Sequence, residues 1–256
     1  MSNDHTKQIY LFIGASSVIT KAISEQYAKM GHHIILAGRT KTAMDAASLH
    51  LKSLGASTAD NMVLDLQNPN SHNDLIEFVK ASHATHNKPT LNIFALSAIM
   101  PPQQDINQEP QKGLDCITIG FTGLVSVLHR FVPFFEAEKN GSITVFGSVA
   151  GDRGRLNNYV YGATKAGLAC YVSGLRNQLG RSGVHVMLVK PGFMNTPMIK
   201  GMKLPPLPIA QPNDVADCVI KSLEKKKNVI YVPWFWRIIM GIIQHIPECI
   251  FKKMSF

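Results

Sequence analysis

Three residues of this 256-residue chain have the types and the spacing to move a proton. Tyr161 and Lys165 stand four apart in the helical stretch "YVYGATKAGL", so both side chains leave one helix face, a turn from each other. A phenol donates near neutral pH only where a cation lowers its pKa, and Lys165 is such a cation. Ser148 lies thirteen residues before the tyrosine, at the end of an apolar run, where its hydroxyl could hydrogen-bond an oxygen on which charge develops. A tyrosine and a lysine at this spacing are common on solvated helices. What distinguishes this pair is the serine and the order of elements around it.

Short apolar strands alternate with longer helical patterns along the chain. The strands fall at residues 9–13, 33–37, 61–66, 91–96, 142–146, 184–189 and 228–232, and helices at about 19–30, 41–54 and 73–82 fill the first gaps. Gly31 and Gly55 stop the first two helices. This alternation predicts an α/β fold: one doubly wound, Rossmann-type parallel sheet over residues 1–232 with helices on both faces, then an amphipathic helical extension over 233–256. Such sheets present their chemistry at the carboxyl ends of the strands, and Ser148 follows the fifth.

The first strand runs into the first helix through "GASSVIT", Gly14 to Thr20. A helix start there offers free amides and a positive dipole end to a pyrophosphate. Gly14 supplies the tight turn, and Ser16 and Ser17 can donate to phosphate beside the backbone of Val18 and Ile19. Valine at 18 and threonine at 20 replace the glycines usual in such turns, so this loop alone is a weak signal.

Ser148 with Tyr161-x-x-x-Lys165 on this strand order resembles the short-chain dehydrogenase/reductase family over nearly the whole chain. The resemblance implies an NADP-dependent enzyme that reduces a ketone, with Tyr161 as general acid, Ser148 on the substrate oxygen, and Lys165 also holding the nicotinamide ribose. It assigns Pro191, Gly192 and Thr196 of "PGFMNT", with the backbone near Met194, to the carboxamide of nicotinamide. Asp65 and Leu66 take the adenine position. "AGRT" puts Arg39 where enzymes that use NAD carry an acid for the ribose, so NADPH, with its 2'-phosphate, is the expected cofactor. Residues 193–212, with Met194, Met198 and Met202, correspond to a mobile substrate lid.

Two positions depart from the family. The usual Asn-Asn-Ala-Gly after the fourth strand reads Ala95-Leu96-Ser97-Ala98, and Gly120 stands where a helix asparagine completes a catalytic tetrad. That asparagine supports a water-mediated proton relay; Thr118, Thr122 or ordered water are the available substitutes.

Within the family, "GDRGRLNNYVYGATKAGL", "SGVHVMLVKPGFMNTPM" and the tail "YVPWFWRIIMGIIQHIPECIFKK" resemble members that reduce a decaprenylphosphoryl 2-keto-pentose, a D-erythro-pentofuranosid-2-ulose. Those members act beside a flavin-dependent oxidase that makes the ketone for a cell-envelope lipid-sugar. A phosphodiester next to the sugar ring needs a cation near Tyr161, and Arg153 and Arg155 on the intervening loop are the candidates. A soluble carbonyl substrate stays open, as does a weakly active cofactor-binding scaffold for a partner enzyme, which Gly120 favours.

The tail has its own physical reading. Residues 234–246 are mostly large and apolar, but Arg237, Gln244, His245 and Pro247 interrupt them, so an interfacial helix or one buried against another subunit fits better than a spanning one. The net charge of +9 suits phosphates or acidic headgroups, while no recognition motif or arginine-rich arm points to nucleic acid. Four dispersed cysteines, Cys116, Cys170, Cys218 and Cys249, suggest neither disulfides nor zinc. His83 and His86, without a third ligand, read as a surface pair, and no metal is expected. The expectation is a cytoplasmic homo-oligomer, peripheral on the inner face of the membrane.

Overall fold

Strand β1 (Ile9–Ile13) is buried at every position and feeds both faces of the sheet in turn. Ile9, Leu11 and Ile13 enter one apolar cluster while Tyr10 and Phe12 enter the other, as the two-residue period of a strand requires. The computed structural model describes residues 7–201 and 207–254. Met202 and residues 203–206, the centre of the expected lid, lie outside the described residues.

The other strands are β2 (His33–Gly38), β3 (Thr58–Val63), β4 (Leu91–Ala95), β5 (Ser142–Phe146), β6 (His185–Pro191) and β7 (Val229–Val232). They form one sheet in the order β3-β2-β1-β4-β5-β6-β7, with every pairing parallel. The chain reverses its direction of travel between β1 and β4, and such a switch point opens a crevice at the strand ends.

Between the strands run α1 (Val18–Lys29), α2 (Lys41–Ser53), α3 (Pro69–Thr85), α4 (Gln103–Gln108), α5 (Pro110–Ile117), α6 (Gly123–Arg130), α7 (Val132–Glu138), α8 (Tyr159–Gly180) and α9 (Pro212–Glu224). The tail forms α10 (Trp236–His245) and α11 (Glu248–Phe251). From Pro110 to Glu138 the chain is helical, and long and apolar enough to cross a membrane by length and composition. Its apolar side is spent on the core, where Leu124, Val127, Leu128, Phe131 and Phe135 are buried.

Two expectations are corrected. The third strand is Thr58–Val63 and not residues 61–66, because it is the sheet edge, where the polar side chains of Asp60 and Asn61 are tolerated. Leu64 and Leu66 are apolar because they are buried in the core just beyond the strand end. His83 is buried, edge-on to Phe134 at 4.9 Å, and His86 stacks on His33 at 3.9 Å, so they are not a surface pair. The tail is also partly folded onto its own domain: Trp236 and Met240 are buried with Val149 of the same chain, against Phe193 and Tyr231, while Trp234, Ile238 and Ile242 stay exposed.

Candidate active site

A cleft of about 290 Å³ opens at the carboxyl ends of the strands around the switch point. Gly14 adopts φ +102°, and a Cβ there would lie 3.1 Å from the Leu96 carbonyl carbon and the Ser97 nitrogen, so the turn both requires glycine and packs on the strand β4 exit. The Ser17 hydroxyl caps α1 by accepting from the Ile19 amide at 3.2 Å, which leaves its proton free to donate. Thr20, at one of the missing glycine positions, donates its hydroxyl to the Gly14 carbonyl at 2.9 Å and ties the turn to the helix. Ser16, Val18 and Ile19 line the same end.

Arg39 and Asp65 stand at this end as well, with Leu66 beneath them. The Arg39 side chain is exposed and makes no ion pair or hydrogen bond with a described residue. Asp65 accepts from the Gln67 amide at 3.0 Å, which fixes its carboxylate. The serine hydroxyls and amides at the start of α1, with Arg39 beyond them, fit the pyrophosphate and phosphorylated ribose of a dinucleotide.

Tyr161 and Lys165 line the opposite end with Pro191, Met194 and Thr196. Ser148 caps a short 3-10 turn, Val149–Asp152, its oxygen accepting from the Ala150 amide at 3.0 Å. Thr196 precedes another such turn without capping it, so its hydroxyl is uncommitted. Gly192 lies behind the cleft wall: a Cβ there would fall 1.9 Å from the Trp236 indole nitrogen, so the tail buttresses this backbone. Met198 of the expected lid lines the cleft too, as do Ser97 at the departure after β4 and the apolar Ile99 and Ile119, to which the sequence reading gave no role.

The electrostatics differ from the sequence expectation. The Tyr161 phenol is pushed up to about 12 by burial, while a hydrogen bond with Ser148 pulls it down and Cys116 adds to the rise; the nearby Arg155 guanidinium also lowers it. Lys165, the cation expected to lower it, is itself desolvated. Burial brings its own ammonium down to about 8, and it donates to the Phe146 carbonyl at 3.0 Å while lying 5.9 Å from the tyrosine ring centre. The desolvating wall is Cys116 and Ala150, with Ala98, Ile99 and Met100 around them.

The two loop arginines separate. Arg153 is withdrawn from the cleft: its guanidinium donates to the carbonyls of Ile243 at 2.6 Å and Ile246 at 2.7 Å, pairs with Glu248 at 2.9 Å, and stacks on Phe251. It closes the open end of α10 and is not available to a substrate phosphate. Arg155 is desolvated, with a buried Nε that has no hydrogen-bond partner, and its charge acts on Tyr161. Asp152 between them is bound by Lys190 and by the Tyr231 hydroxyl at 2.9 Å.

Gly120 lies in a π-helical turn, Thr118–Thr122, between α5 and α6. A Cβ on it would come within 2.7 Å of the Thr164 Cγ2, so Thr164 occupies the space that an asparagine side chain would need. Neither Thr118 nor Thr122 hydrogen-bonds Lys165.

A family model described as short chain dehydrogenase matches residues 8–205, and the chain belongs to that family. An uncharacterized oxidoreductase of Mycobacterium tuberculosis is 27% identical over 244 residues, 95% of this chain and 96% of its own. The solved short-chain dehydrogenase from Sphingobium yanoikuyae in complex with NADPH superposes with a TM-score of 0.76 at 23% identity, covering 94% of this chain and 97% of that one. L-Sorbose reductase from Gluconobacter frateurii, solved with NADPH and L-sorbose, gives 0.76 at 18% identity, covering 88% and 94%.

Proposed function

We propose that the protein is an NADPH-dependent ketoreductase whose substrate is a polyprenylphosphoryl 2-keto-pentose. The observation that carries the reading is the arrangement of one cleft, with Tyr161 and Lys165 at one end and the unpaired Arg39 at the other. The similar structures from Sphingobium and Gluconobacter hold NADPH, which supports the cofactor, and the L-sorbose in the second is in keeping with reduction of a carbonyl compound, a coarser statement than the lipid-linked sugar proposed here. Gly14, Ser16, Ser17 and the amides of Val18 and Ile19 would hold the pyrophosphate, Arg39 the 2'-phosphate, Asp65 and Leu66 the adenine, and Lys165, Pro191, Gly192, Met194 and Thr196 the nicotinamide half.

The chemistry that NADPH supplies when bound is a hydride for the carbonyl carbon. Tyr161, whose phenol keeps its proton through neutral pH, gives that proton to the carbonyl oxygen as charge builds on it. Ser148 donates a hydrogen bond to the same oxygen, and Lys165 orients the site from beneath Tyr161. The apolar wall of Cys116, Ala150 and Met100 keeps water from the reacting carbon. A flavin-dependent oxidase is the partner class that would generate such a ketone from the sugar alcohol.

The unpartnered Arg155 beside Tyr161 supports an anionic substrate. Arg155→Ala should raise KM for a prenylphosphoryl 2-keto-pentose by roughly tenfold or more, the worth of a charge-assisted hydrogen bond. Turnover of an uncharged ketone should fall clearly less, by the part of the effect that runs through the Tyr161 phenol. Equal losses on both substrates would assign Arg155 to Tyr161 and remove the phosphate from the reading, leaving a reductase of soluble carbonyls.

A further inference from the structure

The buried and exposed sides of α10 are both apolar. Trp236 and Met240 are 3% and 0% exposed, while Trp234, Ile238 and Ile242, recurring every fourth residue, are 73%, 56% and 64% exposed. Ile250 in the following turn is 55% exposed. A contiguous set of large apolar side chains in water marks a binding surface, since single exposed residues are ordinary and an aligned stripe is not.

The charges around the stripe are of one sign. Arg237, Lys252 and Lys253 are exposed and make no ion pair with a described residue. The acidic side chain of this segment, Glu248, is neutralised by Arg153. We infer that Trp234, Ile238 and Ile242 seat the protein on the anionic face of a lipid bilayer, with Arg237, Lys252 and Lys253 among the headgroups. Tryptophan favours that boundary, where its ring meets the acyl chains and its N–H meets water. At ten residues α10 is far too short to span, so it lies in the plane.

A second copy of the chain fits this surface less well. An isologous contact would press the stripe and its cations against their own duplicates, and Glu248, the acidic residue of the described tail, is already paired with Arg153. The opposite face of α10 backs Gly192 and Phe193, so docking sets the cleft next to the bilayer. The inference goes beyond the substrate reading and does not depend on it.

Two tryptophans make the test direct, because Trp234 is exposed and Trp236 is buried. The full chain is mixed with vesicles of phosphatidylcholine alone or with added phosphatidylglycerol, and binding is followed by sedimentation and tryptophan emission. The anionic vesicles should bind roughly a hundredfold more tightly, as expected for three cations at the surface, and high salt should erase the difference. Emission should shift to the blue in the unaltered protein and stay fixed in Trp234→Phe, which still binds. Ile238→Glu with Ile242→Glu should abolish binding while reduction of a soluble ketone continues, which shows that the variant is folded. Absence of vesicle binding, equal binding to both vesicle types, or binding that survives the double substitution would overturn the proposal. So would a dimer, seen by light scattering, that the double substitution dissolves.

Discussion

Arg153, five residues beyond Ser148, holds the end of the tail helix: its guanidinium reaches the Ile243 carbonyl at 2.6 Å across ninety positions of sequence. The loop that presents the candidate serine and the extension are thus one packed unit, fastened also by Gln244 to the Asp152 carbonyl at 3.2 Å. Removing the guanidinium would leave three backbone carbonyls and a carboxylate without their donor.

Arg153→Ala should therefore destabilise the fold by about 2 kcal/mol, since its hydrogen bonds are charged and the side chain is mostly covered. Denaturant unfolding measures this. Proteolysis should cut first after residue 233 in the variant. An unchanged midpoint would mean that water replaces the arginine at no cost.

Gly120 and Thr164 form a second coupled pair. Gly120→Asn alone should cost about 1–3 kcal/mol through overpacking, and adding Thr164→Ala should recover most of it. Strictly additive losses would show that the threonine methyl is not the obstacle. Recovery with faster turnover would show that the asparagine's relay can be installed once the space exists.

The buried Lys165 ammonium gives a pH signature. Its pKa falls from 10.5 unfolded to about 8 folded, so between those values the unfolded chain binds more protons and stability rises with pH. The cost of the buried charge, about 3 kcal/mol from that shift, is fully present below pH 8 and gone above pH 10.5. Unfolding free energies of the wild type and Lys165→Met should accordingly draw together or cross in the wild type's favour as pH rises from 7.5 to about 10. A difference independent of pH would contradict it.

Arg39 sets the expected preference between the two nicotinamide cofactors. Wild-type protein should bind NADPH at least tenfold more tightly than NADH, and Arg39→Ala should remove most of that ratio while leaving NADH nearly unaffected. Calorimetry with both cofactors decides it, and equal affinities in the wild type would reject the assignment.

The strand order and the Tyr161–Lys165 pair were legible because both rest on local patterns: mostly apolar, fully buried five-residue runs at β1, β4 and β5, and two side chains a helical turn apart. The edge strand β3 was misplaced because burial, which carries the apolar signal, is partial at a sheet edge. Arg153 and Arg155 look alike in one loop, and only the return of the tail from ninety residues away distinguishes them. The Tyr161 environment depends on Ala98, Cys116 and Ala150, which arrive from three separate segments, so its direction of shift could not be read from the lysine four residues on.

The most direct test of the account is NADPH oxidation by wild type and Tyr161→Phe with a prenylphosphoryl 2-keto-pentose, alongside NADPH affinity for each. The account predicts turnover by the wild type, a fall of 10²–10⁴-fold in the variant, the usual worth of a positioned proton donor, and affinities within about twofold of each other. Turnover by the variant at the wild-type rate, or a wild type that binds NADPH and reduces no ketone, would contradict it.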